Sequence, residues 1–343
     1  MTKMQLPGLD LISLESYLSK IGLIEESEGL FAELATGGRS NLTYFISNDS
    51  RQFVLRRRPL GHVQSTAHDM AREYRIIGAL SATNVAVPQI YHYCEEESVI
   101  GAPFYLMERV EGSVLNSRDK TKTLSNGEAL AISNNVIDTL ATLHECKISD
   151  LGLSDFGRPE GFLERQLSRW AKQLDGSRSR DISGIDLLLS NLISGIPENQ
   201  HNSSIIHGDF RLDNCIIASD NSVAAIVDWE MATLGDSFTD LGLFVVYWDG
   251  LEKIGGHAIA SGIRREYGFP SASELLNRYS LRSGSDLTHI EWYIAFGYFK
   301  LAVILEGIHL RFMQGKTVGD GFEEIGPLVE PLVNGGLGAL KGE

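Results

Sequence analysis

The stretch SIIHGDFRLDNCIIASDNSVAAIVDWEMA, residues 204–232, is the part of the sequence that most narrowly restricts the fold. Within it, Asp209 is followed five residues later by Asn214, and Asp228 comes after a second apolar run. The runs NCII and AAIVDW are short and apolar, and the SDNS between them is typical of a turn. We therefore predict a hairpin of two short strands that brings Asn214 and Asp228 together at one end.

Polar side chains at these spacings indicate phosphoryl transfer. That reaction needs a carboxylate that orients the attacking hydroxyl, and it needs Mg²⁺ held against the phosphates. We predict that Asp209 is the carboxylate that acts as the catalytic base. Because Mg²⁺ prefers hard oxygen ligands, we predict Asn214 and Asp228 as ligands of the metal. His207 stands beside the catalytic residue, and we expect it to order the loop by hydrogen bonds rather than to exchange protons. A chance cluster of polar loop residues is the alternative interpretation.

The same residues resemble a known family. HGDFRLDN (207–214) with IVDWEMATLGDSFTDLG (226–242) is similar to the aminoglycoside phosphotransferase and choline kinase superfamily, and the resemblance covers nearly the whole chain. Three further stretches resemble the kinase domains related to those fused to acyl-CoA dehydrogenases: TGGRSNLTYFI (36–46), VLRRRP (54–59) and LGLSDFGRPEGFLERQLSRW (151–170). The resemblance implies a protein-kinase-like fold, ATP with Mg²⁺, and a hydroxyacyl-CoA or similar hydroxy compound as the acceptor.

The secondary-structure pattern changes along the chain in a way that fits this resemblance. Residues 31–58 are short β-type runs separated by turn residues, 65–82 have a helical pattern, and 85–110 return to strands. Helical patterns dominate the remainder, apart from the stretch quoted above. We predict an α+β, protein-kinase-like two-lobe fold with an antiparallel-sheet N-lobe that contains one main helix. The nucleotide-binding lobe is 1–110, and the mostly helical catalytic and acceptor-binding lobe is 111–343.

A glycine-containing loop is the first candidate for nucleotide binding. Gly37, Gly38 and Ser40 lie between two strand-like runs. Missing side chains at such a position let backbone N–H groups approach phosphates. An ordinary hairpin turn is the alternative interpretation.

The resemblance also implies a basic residue on the next strand, paired with a glutamate of the helix. We assign these roles to Arg56 and Glu73, although the general kinase pattern has a lysine on the strand. Alternation along the strand directs Arg57 away from the face that Arg56 occupies. The hinge that follows is expected to bond the adenine edge through backbone groups around Glu108 and Val110. Solvated surface charges are the alternative for the two charged residues.

One helix carries a feature that bears on the acceptor. Arg165, Arg169 and Lys172 are spaced i, i+4 and i+7, which places them on one helix face. Such a face would attract a CoA phosphate and repel a cationic aminoglycoside, or it is simply a solvated helix face. The alternative functions are an aminoglycoside-type antibiotic kinase and a nucleotide-binding pseudokinase with a scaffolding role.

Composition excludes several classes of partner. The chain has 343 residues, with 30 Lys and Arg against 45 Asp and Glu, a formal charge of −15. So acidic a protein is repelled by nucleic acids and by anionic membranes, and we expect neither as a partner. The three cysteines are widely spaced, and the first residues lack the apolar core of a signal peptide. We expect a cytoplasmic enzyme that acts on a small-molecule hydroxyl acceptor.

Overall fold

The computed structural model describes residues 6–25, 29–35, 41–60, 69–198, 203–255, 259, 262–317 and 321–343. The chain divides into two compact units. The first comprises Met1–Glu111 and Ala225–Glu230, and the second comprises Gly112–Ala224 and Met231–Glu343. The short segment Ala225–Glu230 thus belongs with the N-terminal part of the chain. The predicted lobes, 1–110 and 111–343, are continuous and did not include this exchange. The functions assigned to the two lobes stay predictions.

In its described residues, the first unit contains one sheet and three helices. Its strands are β1 (Phe31–Leu34), β2 (Leu42–Ser47), β3 (Gln52–Arg57), β4 (Ile90–Cys94) and β5 (Phe104–Glu108). Its helices are α1 (Leu11–Lys20), α2 (Met70–Leu80) and α3 (Glu97–Ile100). The strands pair antiparallel in the order β1-β2-β3-β5-β4.

Alternation along β3 separates the two faces of this sheet. Phe53 and Leu55 point to one face, where they join a buried apolar core with Leu14 of α1. Arg56 occupies the other face, directly opposite Tyr105 of β5. Arg56 and Tyr105 are both buried, so this second face carries polar groups inside the unit.

Helix α2 carries its buried side chains at helical spacing. Asp69 caps its N-terminus, and Glu73, Ile76, Ile77 and Leu80 are buried at positions i, i+3, i+4 and i+7. Glu73 therefore shares a helix face with three aliphatic side chains. A carboxylate in such surroundings is costly unless it is paired and hydrogen-bonded.

The second unit is mostly helical. Its helices are α4 (Arg118–Thr121), α5 (Asn126–His144), α6 (Phe162–Ser177), α7 (Ile185–Ser194), α8 (Phe238–Val245), α9 (Leu251–Lys253), α10 (Ala272–Ser283), α11 (Ile290–Met313) and α12 (Val329–Ala339). A π-helical turn, Val246–Gly250, continues α8. The short strands are β6 (Ser113–Val114), β7 (Ser203–Ile206), β8 (Cys215–Ile217), β9 (Val223–Ile226) and β10 (Thr233–Asp236), and the last two residues of β9 belong to the first unit. Turns of 3₁₀ helix lie at Ile148–Leu151, Leu212–Asn214, Trp229–Met231, Arg265–Tyr267, Phe322–Glu324 and Gly326–Leu328.

Helix α11 is the central helix of this unit and packs against α6, α7, α8 and α12. By length and composition this helix could cross a membrane. However, 72% of its most apolar 18-residue stretch is buried inside the protein. Burial of this kind is typical of a core helix. Two charged residues, Lys300 and Glu306, interrupt its apolar sequence, and both are buried.

Helices α8 and α11 cross at close range because glycines stand at the crossing. A Cβ atom on Gly242 would lie 2.1 Å from the carbonyl oxygen of Tyr293. On the facing helix, a Cβ atom on Gly297 would lie 3.0 Å from the carbonyl carbon of Gly242. The crossing allows Asp240 of α8 and Lys300 of α11 to reach the same turn after β7.

Strand β7 ends immediately before His207 and pairs antiparallel with β10. Within the second unit, β8 lies between β6 and the start of β9. The turn from β8 to β9 is closed by a bond from Ala218 N to Ser222 O, as its SDNS sequence predicts. The α+β prediction, with an antiparallel sheet followed by a helical region, is confirmed. The predicted meeting of Asn214 with Asp228 concerns residues of different units and stays a prediction.

Candidate active site

In the first unit, the candidate residues form a buried ion-pair chain centred on Arg56. Its Nε atom lies 3.2 Å from Glu73 Oε2, and its Nη2 atom lies 2.9 Å from Asp228 Oδ1. The neighbouring arginines face elsewhere: Arg57 donates to the carbonyl oxygen of Ile100, and Arg58 pairs with Glu97 at the surface. Arg56 is therefore the arginine of this strand that joins the helix glutamate to Asp228.

Two further side chains hold Glu73, and the sequence motifs gave neither of them this role. Tyr105 donates its hydroxyl to Glu73 Oε2 at 2.9 Å, and Asn41 donates its amide to Glu73 Oε1 at the same distance. The Asn41 amide also lies 3.1 Å from Glu230 Oε2. Burial raises the pKa of Glu73, while Arg56 and these donors oppose the rise. The register that sets Tyr105 opposite Arg56 becomes visible only once the strands are paired.

Asp228 has an unusual backbone conformation. Its φ angle is +68°, in the left-handed region that costs a non-glycine residue roughly 1–2 kcal/mol. The segment around it is anchored by Ile226, whose N–H bonds Ala86, and by the Trp229 indole, which donates to Ile226 O at 3.0 Å. One carboxylate oxygen of Asp228 meets Arg56, and the side chain stays about a third exposed. Strained residues of this kind cluster at functional sites.

The face of the sheet that carries Arg56 also offers an apolar surface. Phe45 and Met107 stand directly opposite Val54 on the two neighbouring strands. The guanidinium of Arg109 lies 4.5 Å above the Phe45 ring. A flat aromatic base could be held against this row by apolar contact.

The remaining residues predicted to bind the nucleotide belong to the hinge and to the glycine-containing loop. The backbone N–H of Glu108 donates to Gln89 O at 2.8 Å, and its carboxylate accepts from Gln89 N at 3.0 Å. Val110 lies two residues beyond Glu108, the last residue of β5. The predicted loop residues Gly37, Gly38 and Ser40 lie outside the described residues. Roles toward a nucleotide stay predictions for all five.

In the second unit, the candidate residues are those of the turn His207-Gly208-Asp209. The carboxylate of Asp240 accepts from both His207 N at 2.7 Å and Gly208 N at 2.8 Å. Although burial opposes its ionisation, hydrogen bonds from His144 and this turn hold the pKa of Asp240 below its usual value. Gly208 has a φ angle of +85°, and a Cβ there would lie 2.7 Å from Met231 O. Glycine is required at this position.

Asp209 is held by the residues that follow it. Its N–H meets His207 Nδ1 at 3.2 Å, and the Asn214 amide donates to Asp209 O at 2.8 Å and to Asp209 Oδ2 at 3.2 Å. Burial raises the pKa of Tyr247, on the π-helical turn, and the Asp209 carboxylate adds to the rise. His207 is fully buried, and its role in ordering the turn stays a prediction. The Asp209 side chain remains 26% exposed, so a substrate can reach it.

The orientation of the Asn214 amide leaves its oxygen available to bind a metal ion. Because its nitrogen donates to two acceptors on Asp209, its side-chain oxygen is directed away from that residue. Amide and carboxylate oxygens are the ligands that Mg²⁺ accepts. The side-chain oxygens of Asn214 and of Asp228 are each of the chemical kind that binds such an ion.

The basic face of α6 is narrower than its sequence suggested. Arg165 donates to the backbone carbonyls of Arg158 and Glu160, which ties it to the start of the helix. Arg169 lies near its neighbour Trp170, with the guanidinium carbon 5.8 Å from the ring centroid. Arg169 and Lys172 are exposed. These two residues are the better candidates for contact with an acceptor.

The fold is that of the kinase-like phosphotransferase class. The chain belongs to the phosphotransferase enzyme family (APH), whose family model matches residues 32–276. This finding confirms both the predicted family resemblance and the predicted protein-kinase-like fold.

Three relatives locate the chain within this class. It is 33% identical over 342 residues to acyl-CoA dehydrogenase family member 11 from Homo sapiens, covering 96% of this chain and 43% of that protein. A solved structure from Ralstonia eutropha, assigned as an aminoglycoside phosphotransferase, has a TM-score of 0.83 and 31% identity, covering 97% of this chain and 98% of that one. Aminoglycoside phosphotransferase APH(4)-Ia, solved as a thermostable mutant in a ternary complex with ADP and hygromycin B, has a TM-score of 0.62 and 12% identity, covering 95% and 98%. At 12% identity the last comparison shows the fold alone.

Proposed function

We propose that the protein transfers the γ-phosphoryl group of ATP to a hydroxyl of a small molecule, with Asp209 as the catalytic base. The observation that carries this proposal is the arrangement of Asp209, whose backbone is fixed on both sides while its carboxylate stays accessible. A carboxylate so held can accept a hydrogen bond from an incoming hydroxyl and take its proton as the new phosphate ester forms.

The first unit supplies groups suited to the nucleotide. Arg56 can bind phosphate oxygens through two parallel N–H bonds, and Glu73 with Asn41 and Tyr105 holds the surrounding network in place. The apolar row of Phe45, Val54 and Met107 suits the base. Support comes also from APH(4)-Ia, which was solved with ADP on the same fold.

Mg²⁺ would be held by Asn214 and Asp228. When bound, the ion neutralises charge on the phosphates during transfer. The chain itself contributes the fixed amide of Asn214, oriented by Asp209, and the carboxylate of Asp228, oriented by Arg56.

We further propose a hydroxyacyl-CoA as the acceptor. The chain spans 43% of the length of the human relative, whose name refers to acyl-CoA dehydrogenation. A kinase-like region and an acyl-CoA enzyme in one protein are consistent with a shared type of substrate. The exposed Arg169 and Lys172 on α6 offer positive charge for the CoA phosphates.

An aminoglycoside is the second candidate acceptor, because the Ralstonia eutropha relative is assigned to that activity and covers nearly the whole chain. The two candidates differ in charge, since aminoglycosides are polycations and CoA esters are polyanions. A face with exposed basic residues favours the anion.

A direct test is transfer from [γ-³²P]ATP with Mg²⁺ to two panels, one of hydroxyacyl-CoAs with different hydroxyl positions and one of aminoglycosides. We expect labelled product from the CoA panel, and none when the CoA ester lacks a hydroxyl. Labelling of kanamycin-like compounds alone would replace the proposed acceptor. Absence of any nucleotide turnover would reject the kinase proposal as a whole and favour the scaffolding alternative.

A further inference from the structure

Lys300 is a buried charge that the proposed mechanism does not use. It lies in the middle of α11, and only 8% of its surface is exposed. Burying an ammonium group is costly unless it is paired and hydrogen-bonded. An aliphatic residue would pack better in this apolar helix, so packing alone does not explain a lysine at this position.

The ammonium group of Lys300 is directed at the turn that carries Asp209. Its Nζ atom donates to the carbonyl oxygen of Gly208 and lies 5.5 Å from the centroid of the Trp170 ring. Burial lowers the pKa of Lys300, and the carboxylates of Asp209 and Asp240 oppose this shift. Lys300 is separated from Gly208 by 92 residues along the chain, so this contact is made by the tertiary fold.

Together with Asp240, Lys300 holds Gly208 from both sides. Asp240 accepts from the N–H of Gly208, and Lys300 donates to its C=O. The C=O of Gly208 and the N–H of Asp209 belong to the same rigid peptide plane. Fixing that carbonyl therefore fixes the rotation of the peptide that leads into Asp209.

We propose that Lys300 is a positioning residue for the catalytic base. Its ammonium group locks the Gly208 peptide and so sets the direction in which the Asp209 carboxylate meets the acceptor hydroxyl. Glycine has wide conformational freedom, and without this bond the peptide can rotate and carry Asp209 out of line. The inference rests on the proposed function, because it takes Asp209 to be the base.

The central variant is Lys300→Met, which keeps the unbranched stem in the core but deletes the donor and the charge. We expect kcat to fall by roughly 10–100-fold, the range that a misplacement of about 1 Å can produce. The KM values for ATP and for the acceptor should stay within about twofold, because Lys300 reaches no substrate in this mechanism. Lys300→Arg should recover part of kcat, since a guanidinium can donate to the same carbonyl oxygen.

Rates are measured with Mg-ATP and a hydroxyacyl-CoA, and also with Mg-ATP alone, where water is the acceptor. Each rate is normalised to the number of sites that bind Mg-ADP in calorimetry, so that loss of folded protein does not count as loss of turnover. If Lys300→Met does not fold, Lys300→Gln takes its place with the same expected loss, because its polar side chain is one bond shorter and ends short of the Gly208 oxygen.

Glu306→Gln is the matched control. Glu306 is a second buried charge on α11, and it pairs with Arg180 at 3.1 Å and with Ser179 rather than with the Asp209 turn. This variant should lower the melting temperature and leave kcat per binding site unchanged.

The outcomes separate the two proposals. A wild-type protein without turnover would reject the proposed function. An active wild type with a Lys300→Met kcat within about twofold of its own would overturn the inference while leaving that function intact. An equal fall of normalised kcat in Glu306→Gln would also overturn it, because the effect would then follow from general damage to α11.

Discussion

At the scale of single residues, Asp209 is the residue on which the proposed chemistry depends. Asp209→Asn keeps the size of the side chain but cannot accept the proton of the attacking hydroxyl. General-base contributions are typically about 10²–10⁴-fold, and we expect turnover to fall by that factor. Mg-ATP binding, measured by calorimetry, should be retained.

Asp213→Asn is the control for this substitution, because Asp213 is a nearby carboxylate of the same loop that pairs with Arg211. It should lose much less activity than Asp209→Asn. If the Asp209 variant keeps more than half of wild-type turnover, another group must act as the base.

Arg56 supports a second prediction at this scale. Arg56→Ala should weaken Mg-ATP binding strongly, because it removes the buried cation between Glu73 and Asp228 and leaves two uncompensated carboxylates. Arg56→Lys should retain part of the affinity, since it preserves the charge but not the two-point geometry. Calorimetric titration with Mg-ATP measures both.

The neighbouring Arg58 provides the matched control, because its partner Glu97 is an exposed surface residue. Arg58→Ala should leave the affinity for Mg-ATP close to that of the wild type, as exposed ion pairs contribute little. A larger loss in Arg58→Ala than in Arg56→Ala would mean that the wrong arginine has been assigned to the phosphates.

At the scale of secondary-structure elements, the crossing of α8 and α11 determines where Asp240 and Lys300 lie. Gly242→Ala would put a Cβ 2.1 Å from Tyr293 O, so the two helices would have to separate. Overpacking of a core typically costs about 1–3 kcal/mol, and we expect a loss of stability in that range or above. Urea unfolding monitored by circular dichroism measures this change.

Gly78→Ala on α2 is the control at element scale, because a Cβ there meets no atom within 4 Å among the described residues. It should stabilise the protein by about 0.5–1 kcal/mol through helix propensity and the unfolded state. If Gly242→Ala were as well tolerated as Gly78→Ala, the close crossing of the two helices would be contradicted.

At the scale of the whole molecule, the formal charge of −15 makes a basic surface informative for the acceptor. Arg169→Glu with Lys172→Glu should raise the KM for a hydroxyacyl-CoA several-fold at low salt, with each exposed contact worth up to about 1 kcal/mol. The effect should shrink as salt rises, because exposed charges are screened over about 8–10 Å at physiological ionic strength. The KM for ATP should stay nearly constant.

Lys253→Glu with Lys341→Glu changes the net charge by the same amount at exposed positions of other elements. An equal rise of the acceptor KM in this control would mean that overall charge, rather than the α6 face, governs binding. An unchanged acceptor KM in the α6 variant at low salt would remove the argument for that face.

Much of the fold and part of the candidate site were predictable from local sequence, because they depend on short-range rules. Alternation along β3 separated Arg56 from Arg57, and the spacing from Asp209 to Asn214 placed both on one short loop. The family resemblance rested on these same motifs, and it carried the α+β, kinase-like fold with it. These properties need no knowledge of which distant element packs where.

Only the tertiary structure decided which distant side chains support those residues. Asn41 and Tyr105 reach Glu73, Asp240 reaches Gly208, and Lys300 reaches the same glycine from α11. Periodicity tells which face of a helix or strand is buried, but it does not tell what that face meets. In the sequence, Lys300 is a single charge in an apolar run. Its contact with Gly208 depends on the crossing of α8 and α11, which glycines make possible.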